Sequence, residues 1–75
     1  MREQILSLLT EVCPGVDFET ETALIDDGIL ESLDIVTIVS ELIAEFDVDI
    51  NVNDLEPDNF NSLDAICRLV ESRKA

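Results

Sequence analysis

Asp26-Asp27-Gly28-Ile29-Leu30-Glu31-Ser32-Leu33-Asp34 is a polar turn that delivers one serine to the start of an amphipathic helix. Beyond it, Ile35, Ile38, Val39, Leu42 and Phe46 recur at helical spacing, which predicts a helix from Ser32 to Phe46. Gly28 lets the chain turn sharply without the steric cost that a Cβ would bring. A serine at this junction carries an exposed hydroxyl on a fixed backbone, beside amide groups able to receive an anion. The same placement also fits a plain helix N-cap, worth about 1 kcal/mol and no chemistry.

Upstream, Ile5, Leu8, Leu9 and Val12 fall at i, i+3, i+4 and i+7, the apolar stripe of a helix ended by Pro14-Gly15. From Val16 to Glu31 no period is sustained. Its scattered apolar residues, Phe18, Leu24, Ile25 and Ile29, predict a long loop pinned onto a core. Loops of this length are uncommon in compact domains unless functional, and this one leads directly into Ser32.

Downstream, Asp47-Val48-Asp49-Ile50-Asn51-Val52-Asn53 alternates like a strand. With no second strand to pair with, it reads as extended loop that inserts Ile50 and Val52 into the core. Pro57 starts a short helical turn within Leu55 to Phe60. Asn61-Ser62-Leu63-Asp64 has the form of a cap with an acidic first turn, and Leu63, Ile66, Cys67 and Val70 supply another apolar stripe. Arg73 and Lys74 stand where cations favour a helix C-terminus. The expected fold is all-α: one domain over residues 1–75, with three principal helices, a short third helix, and a long loop between helices 1 and 2.

Charge narrows the function. Among 75 residues there are 18 acids and 4 bases, a net charge of −14, and no cation lies between Glu3 and Cys67. Such a surface repels nucleic acid and anionic membrane and steers towards basic protein patches, although simple solubility explains an acidic surface too. No apolar run approaches the roughly 20 residues of a membrane span, so the expected setting is the cytoplasm and the expected state a monomer. Cys13 and Cys67 fall on apolar helical faces without CxxC spacing, and read as small core hydrophobes. With no histidine and no lysine before Lys74, neither zinc binding nor histidine-based acid–base catalysis is expected. Asp47, Asp49, Asn51, Asn53 and Asp58 match steps 1, 3, 5, 7 and 12 of a Ca²⁺ loop. Val52 stands where that loop needs glycine, and Asp58 where it usually has glutamate, so no metal site is expected.

Taken together, the chain resembles the acyl carrier protein family over nearly its whole length. Glu31-Ser32-Leu33, followed by Asp34, matches the family's Asp-Ser-Leu signature. Phe46-Asp47 and Ile50 match positions that close the second helix and open the next loop. The resemblance implies that Ser32 carries a 4′-phosphopantetheine arm, attached from coenzyme A by a phosphopantetheinyl transferase. The arm would hold an acyl or aminoacyl group as a thioester, received from a loading ligase and passed to downstream acyl-transferring enzymes. The chain would then be a protein substrate of those enzymes and not itself a catalyst. The apolar seam between its helices would be available to shelter cargo.

Departures from the family pattern point to the subtype. Glu31 replaces the usual aspartate, lengthening the side chain by one methylene. Thr37, Ile43 and Ala44 stand where fatty-acid carriers are often acidic, although helical spacing also allows Ile43 into the core. Gly28-Ile29-Leu30-Glu31-Ser32 and Leu55–Phe60 resemble D-alanyl and other free-standing carriers served by adenylating ligases. Leu33-Asp34 looks more like the fatty-acid type, which leaves fatty acyl, aminoacyl and polyketide cargo open. Because Ser32 has to enter partner active sites, Glu31, Leu33, Asp34, Ile35 and Glu41 are the expected partner-binding residues. The rival reading is an acidic interaction domain with no prosthetic group, in which Ser32 is only a cap.

Overall fold

The apolar stripes become helices, and the computed structural model describes them over residues 2–74. The order is α1 (Arg2–Val12), α2 (Ser32–Phe46), a single 3-10 turn (Val52–Asp54), α3 (Pro57–Phe60) and α4 (Leu63–Arg73). This is the expected bundle of three principal helices with a short third one and a long first loop. Among the described residues no helix is long and apolar enough to cross a membrane.

Each helix ends for a local reason. α1 stops where Pro14 is followed by Gly15 at φ +94°, a conformation that costs a residue with a Cβ dearly. α2 closes on Asp47 in the left-handed region (φ 54°, ψ 47°), whose N–H donates to the Ile43 carbonyl at 2.9 Å. α3 begins with Pro57 in its first turn, where the missing N–H is no loss. α4 is capped by Ser62, whose hydroxyl oxygen accepts from the Ala65 N–H at 3.1 Å.

Packing follows from the stripes. α1 rests on α2 and on α4, and α3 rests on α4. Ile5 and Leu9 of α1, Ile38 and Leu42 of α2, Phe60 of α3, and Leu63, Ile66 and Val70 of α4 are essentially removed from solvent. The long loop contributes to this core as fully as the helices do, through Phe18, Leu24 and Leu30. Each such burial stabilises by about 1.5–3 kcal/mol, which offsets the entropy of ordering a segment without regular hydrogen bonding.

After α2 the chain forms no strand, as expected, and buries both Val48 and Ile50 from its extended stretch. The Val52 side chain, expected beside Ile50, lies outside the described residues. Arg73 stands in the last turn of α4, as expected, and has a second task there. Its guanidinium turns from the end of α4 to Asp54, the one buried charged side chain among the described residues, which also accepts the Asn51 N–H at 3.1 Å. A cation paired with a buried carboxylate is used more fully there than beside solvated carbonyls.

Candidate functional site

The approach to Ser32 is built from a turn that other parts of the chain hold in place. Leu24 is anchored in the core, and its N–H donates to the Asn61 carbonyl at 2.9 Å. The next two amides, those of Ile25 and Asp26, both donate to Asn61 Oδ1, at 2.9 and 3.1 Å. Asn61 Nδ2 in turn donates to the Asp26 carboxylate at 3.2 Å. The turn then winds on itself, Asp27 N–H to Ala23 O and Gly28 N–H to Ile25 O. Gly28 lies at φ +72°, and Leu30, buried, returns its N–H to Leu24 O at 2.9 Å. Space for a Cβ is open at Gly28, so the glycine is required by backbone angle and not by crowding.

Ser32 then opens α2 as its first helical residue, because the N-cap is Glu31 in extended conformation (φ −103°, ψ 171°). The carboxylate of Asp34, three residues past the cap, accepts the Glu31 N–H at 3.1 Å. The rival placement of Ser32 as a plain N-cap does not hold. The cap position is filled by Glu31, and among the described residues the Ser32 hydroxyl makes no hydrogen bond to the protein. It is exposed at the positive end of a fifteen-residue helix.

The expected partner-binding residues do not share one face. Glu31 and Leu33 flank Ser32 in the open, Leu33 being 79% exposed. Asp34, expected to point outward, is half-buried, with its carboxylate turned back on the cap. Ile35 is half-buried against the core, and Glu41 is exposed further along α2. At about 100° per residue, Asp34, Glu41 and Glu45 lie on the side of α2 away from Ser32. There Glu41 and Glu45 border a shallow recess with Gln4, Ser7, Leu8 and Glu11 of α1. The side that Ser32 itself heads carries Val36, Ser40 and Ile43. Val36 is 56% exposed, and Ile43 at 38% is not the core residue its spacing allowed.

Beside that uncharged side runs an open groove of ≈ 360 Å³, lined by Val36, Val39, Ser40, Ile50, Asn51 and Leu55. It begins one helical turn from Ser32 and is mostly apolar. The groove lies between α2 and the segment that follows it, and not between two helices as the expected seam would.

The thiols are free, half-buried and packed against the core. Burial pushes Cys67 upward, and burial first, then the charge and hydrogen bond of Asp34, pushes Cys13 upward, so neither is a ready thiolate. Around the residues spaced like a Ca²⁺ loop, the bonds that form are turn and cap bonds. Asp47 closes α2, Asn51 Oδ1 accepts the Asn53 N–H at 2.9 Å, and Asn59 Nδ2 donates to the Asp54 carbonyl at 2.8 Å. Among the described residues no three carboxylates or thiols converge. Asn61 is the site residue that sequence reasoning passed over. Its place in an Asn-Ser pair before α4 marked a cap and nothing more, and its partners lie more than thirty residues earlier.

No family model matches the chain. It is similar to the D-alanyl carrier protein of Bacillus cereus (strain B4264), 26% identical over 72 residues that cover 93% of this chain and 91% of that protein. The D-alanyl carrier protein of Bacillus anthracis (strain CDC 684 / NRRL 3495) matches with the same identity and coverage. The helix order with its long first loop, the exposed serine opening α2, and similarity over nearly the whole length together support the carrier-protein family for this chain.

Proposed function

We propose that this chain is an acyl carrier whose Ser32 bears a 4′-phosphopantetheine arm, and that its cargo is aminoacyl, D-alanine first among candidates. The observation that carries the reading is the unbonded, exposed hydroxyl at the first position of α2, with capping assigned to Glu31 and Asp34 instead. That division of labour leaves Ser32 no evident structural task, and the rival view of it as a mere cap loses its basis. D-alanine is favoured because the similar proteins bear that name along nearly their full length.

The residues present fit the arm. The first amides of α2 place partial positive charge beside a phosphodiester formed on Ser32 Oγ. The chain has no histidine, so the serine proton passes to a base on the transferase. Oγ would take the 4′-phosphopantetheinyl group from coenzyme A with Mg²⁺ present, the new Oγ–P bond replacing the pyrophosphate bond so that adenosine 3′,5′-bisphosphate leaves. Once attached, the arm supplies a terminal thiol on which cargo is held as a thioester. The chain's own part is to hold Ser32 at a fixed point, raise the local concentration of cargo at each enzyme, and offer a docking surface.

That surface is centred on Glu31 and Leu33 beside Ser32, with the exposed margin of Ile35 at its border and Asp34 and Glu41 on the flank of α2 that faces away from the serine. Val36 and Ile43 add an apolar side, and Ile43 stands at a position that fatty-acid carriers often make acidic. Partners are the transferase, an adenylating loading ligase and a downstream acyl-transferring enzyme. They are met as weak, fast encounters by a cytoplasmic monomer that is a substrate and not a catalyst.

Incubation with coenzyme A, Mg²⁺ and a broad-specificity transferase is expected to add one phosphopantetheine mass, and Ser32→Ala to abolish the addition with the helical signal kept. Addition to the alanine variant would refute the assignment. Intact mass after a further incubation with ATP, D-alanine and a D-alanine-activating ligase then tests the cargo.

A further inference from the structure

The Asn61 side chain caps the serine-bearing loop from a distant part of the chain. Its Oδ1 accepts two successive amides, Ile25 at 2.9 Å and Asp26 at 3.1 Å, as an N-cap side chain does for its own helix. Its Nδ2 holds the Asp26 carboxylate at 3.2 Å, and its carbonyl holds the Leu24 N–H at 2.9 Å. Four polar contacts thus join the α3–α4 junction to three consecutive residues of the loop. From those residues the bonding runs without a gap to the serine. The turn closes at Gly28, Leu30 N–H returns to Leu24 O, and Glu31 caps α2 with Ser32 next in line. Loop 16–31 has no regular ladder to hold it, so these contacts and the buried Phe18, Leu24 and Leu30 define its path.

We infer that Asn61 is a positioning residue for arm attachment at Ser32, keeping the segment ahead of the serine in the conformation that the transferase engages. The inference rests on the carrier reading of Ser32. Releasing the clamp leaves the apolar anchors and the four helices in place but lets residues 25–29 sample other paths. A partner that binds only the ordered path then sees a smaller competent fraction, and its apparent affinity falls in proportion. The loss belongs to KM, because the serine is ordered again once the complex forms.

The test exploits the polarity of the Asn61–Asp26 pair. Asn61→Ala removes every side-chain bond. Asn61→Asp keeps an acceptor for both amides but sets carboxylate against carboxylate at Asp26. Combining Asn61→Asp with Asp26→Asn restores a donor facing an acceptor, with the roles exchanged and the net charge unchanged. Arm attachment is followed by intact mass over a range of carrier concentrations with coenzyme A and Mg²⁺, and amide exchange is read on the same samples.

Asn61→Ala is expected to lower kcat/KM about tenfold, through KM, with faster exchange at Ile25 and Asp26 and unchanged protection in α1 and α4. Asn61→Asp is expected to do the same or worse, and the exchanged pair to return to within about twofold of the parent. Parent-like kinetics in both single variants, or no recovery in a folded exchanged pair, would overturn the positioning role and leave the carrier reading intact. Failure of the parent chain itself to accept the arm would overturn both. Should Asn61→Ala lose its helical signal, the exchanged pair alone decides.

Discussion

At Ser32 the protein separates two tasks that helix starts usually combine, satisfying orphan amides and presenting a side chain. Serine is among the preferred N-caps and glutamate is not, so the spacing in the sequence favoured the wrong residue for the cap. What decides it is the backbone at Glu31, extended at φ −103° and ψ 171°, which makes Ser32 the first helical residue. The position of the serine was therefore legible, and its freedom from capping was not. Asp34 now carries two roles that substitution can separate. Asp34→Ala removes the acceptor for the Glu31 N–H and is expected to destabilise the fold by about 1 kcal/mol. Asp34→Asn keeps an acceptor oxygen there, so it should hold its stability in urea while losing one charge beside Ser32. Its arm attachment is expected to slow at low salt and to match the parent at high salt, with Glu3→Gln as a distant control. Equal slowing in the two neutralised variants would mean recognition by bulk charge.

Among the elements, α2 and the stretch after it show what pattern reading reaches. The stripe Ile35, Ile38, Val39, Leu42 and Phe46 placed α2 to the residue, because helical period and burial agree there. The same period put Ile43 within reach of the core, but α2 is covered on one side only and Ile43 stays outside. After α2, Ile50 was correctly read as a core position, whereas Val48, which is buried too, was passed over. The 3-10 turn at Val52–Asp54 is closed by local bonds, Asn51 Oδ1 accepting the Asn53 N–H and Asp54 the Asn51 N–H, and is tied further by a partner nineteen residues away. That partner is Arg73, whose guanidinium, together with the Asn51 N–H, holds the Asp54 carboxyl below its ordinary value of 3.8. A depressed carboxyl contributes stability that is present above its unfolded value and lost as pH falls through the folded one. The stability gap between the parent and Asp54→Asn should thus be full near neutral pH and close as pH falls below the ordinary carboxylate range. Urea unfolding of both proteins across that range checks it, and a gap that persisted in acid would show the pair to be incidental.

For the molecule as a whole, charge is the dominant feature outside the core, and its cations are few enough to follow individually. Arg2 bridges to Asp64 and Arg73 to Asp54, so two of the four cations already join distant parts of the chain. Order and length of the helices were readable because each stripe is local. The ties between them were not, because Arg2, Asn61 and Arg73 each find a partner through the fold rather than through spacing. Added salt acts on these features in opposite directions. It weakens the exposed Arg2–Asp64 bridge, a pair worth at most about 1 kcal/mol. It also screens a net charge of −14 confined within 31 × 24 × 19 Å. The Debye length is about 30 Å at 0.01 M and about 10 Å at 0.1 M. In dilute buffer every carboxylate therefore feels the whole molecule, and at moderate salt only its neighbours. Relief of many repulsions should outweigh the loss of one surface bridge. The thermal midpoint is expected to rise between those two salt concentrations by several degrees, since about 1 kcal/mol moves a domain of this size by about 4–8 °C. Arg2→Gln should lower the midpoint slightly and leave the rise intact. A midpoint that fell with salt would place the stability of this chain in its few bridges and not in the core that holds its acids together.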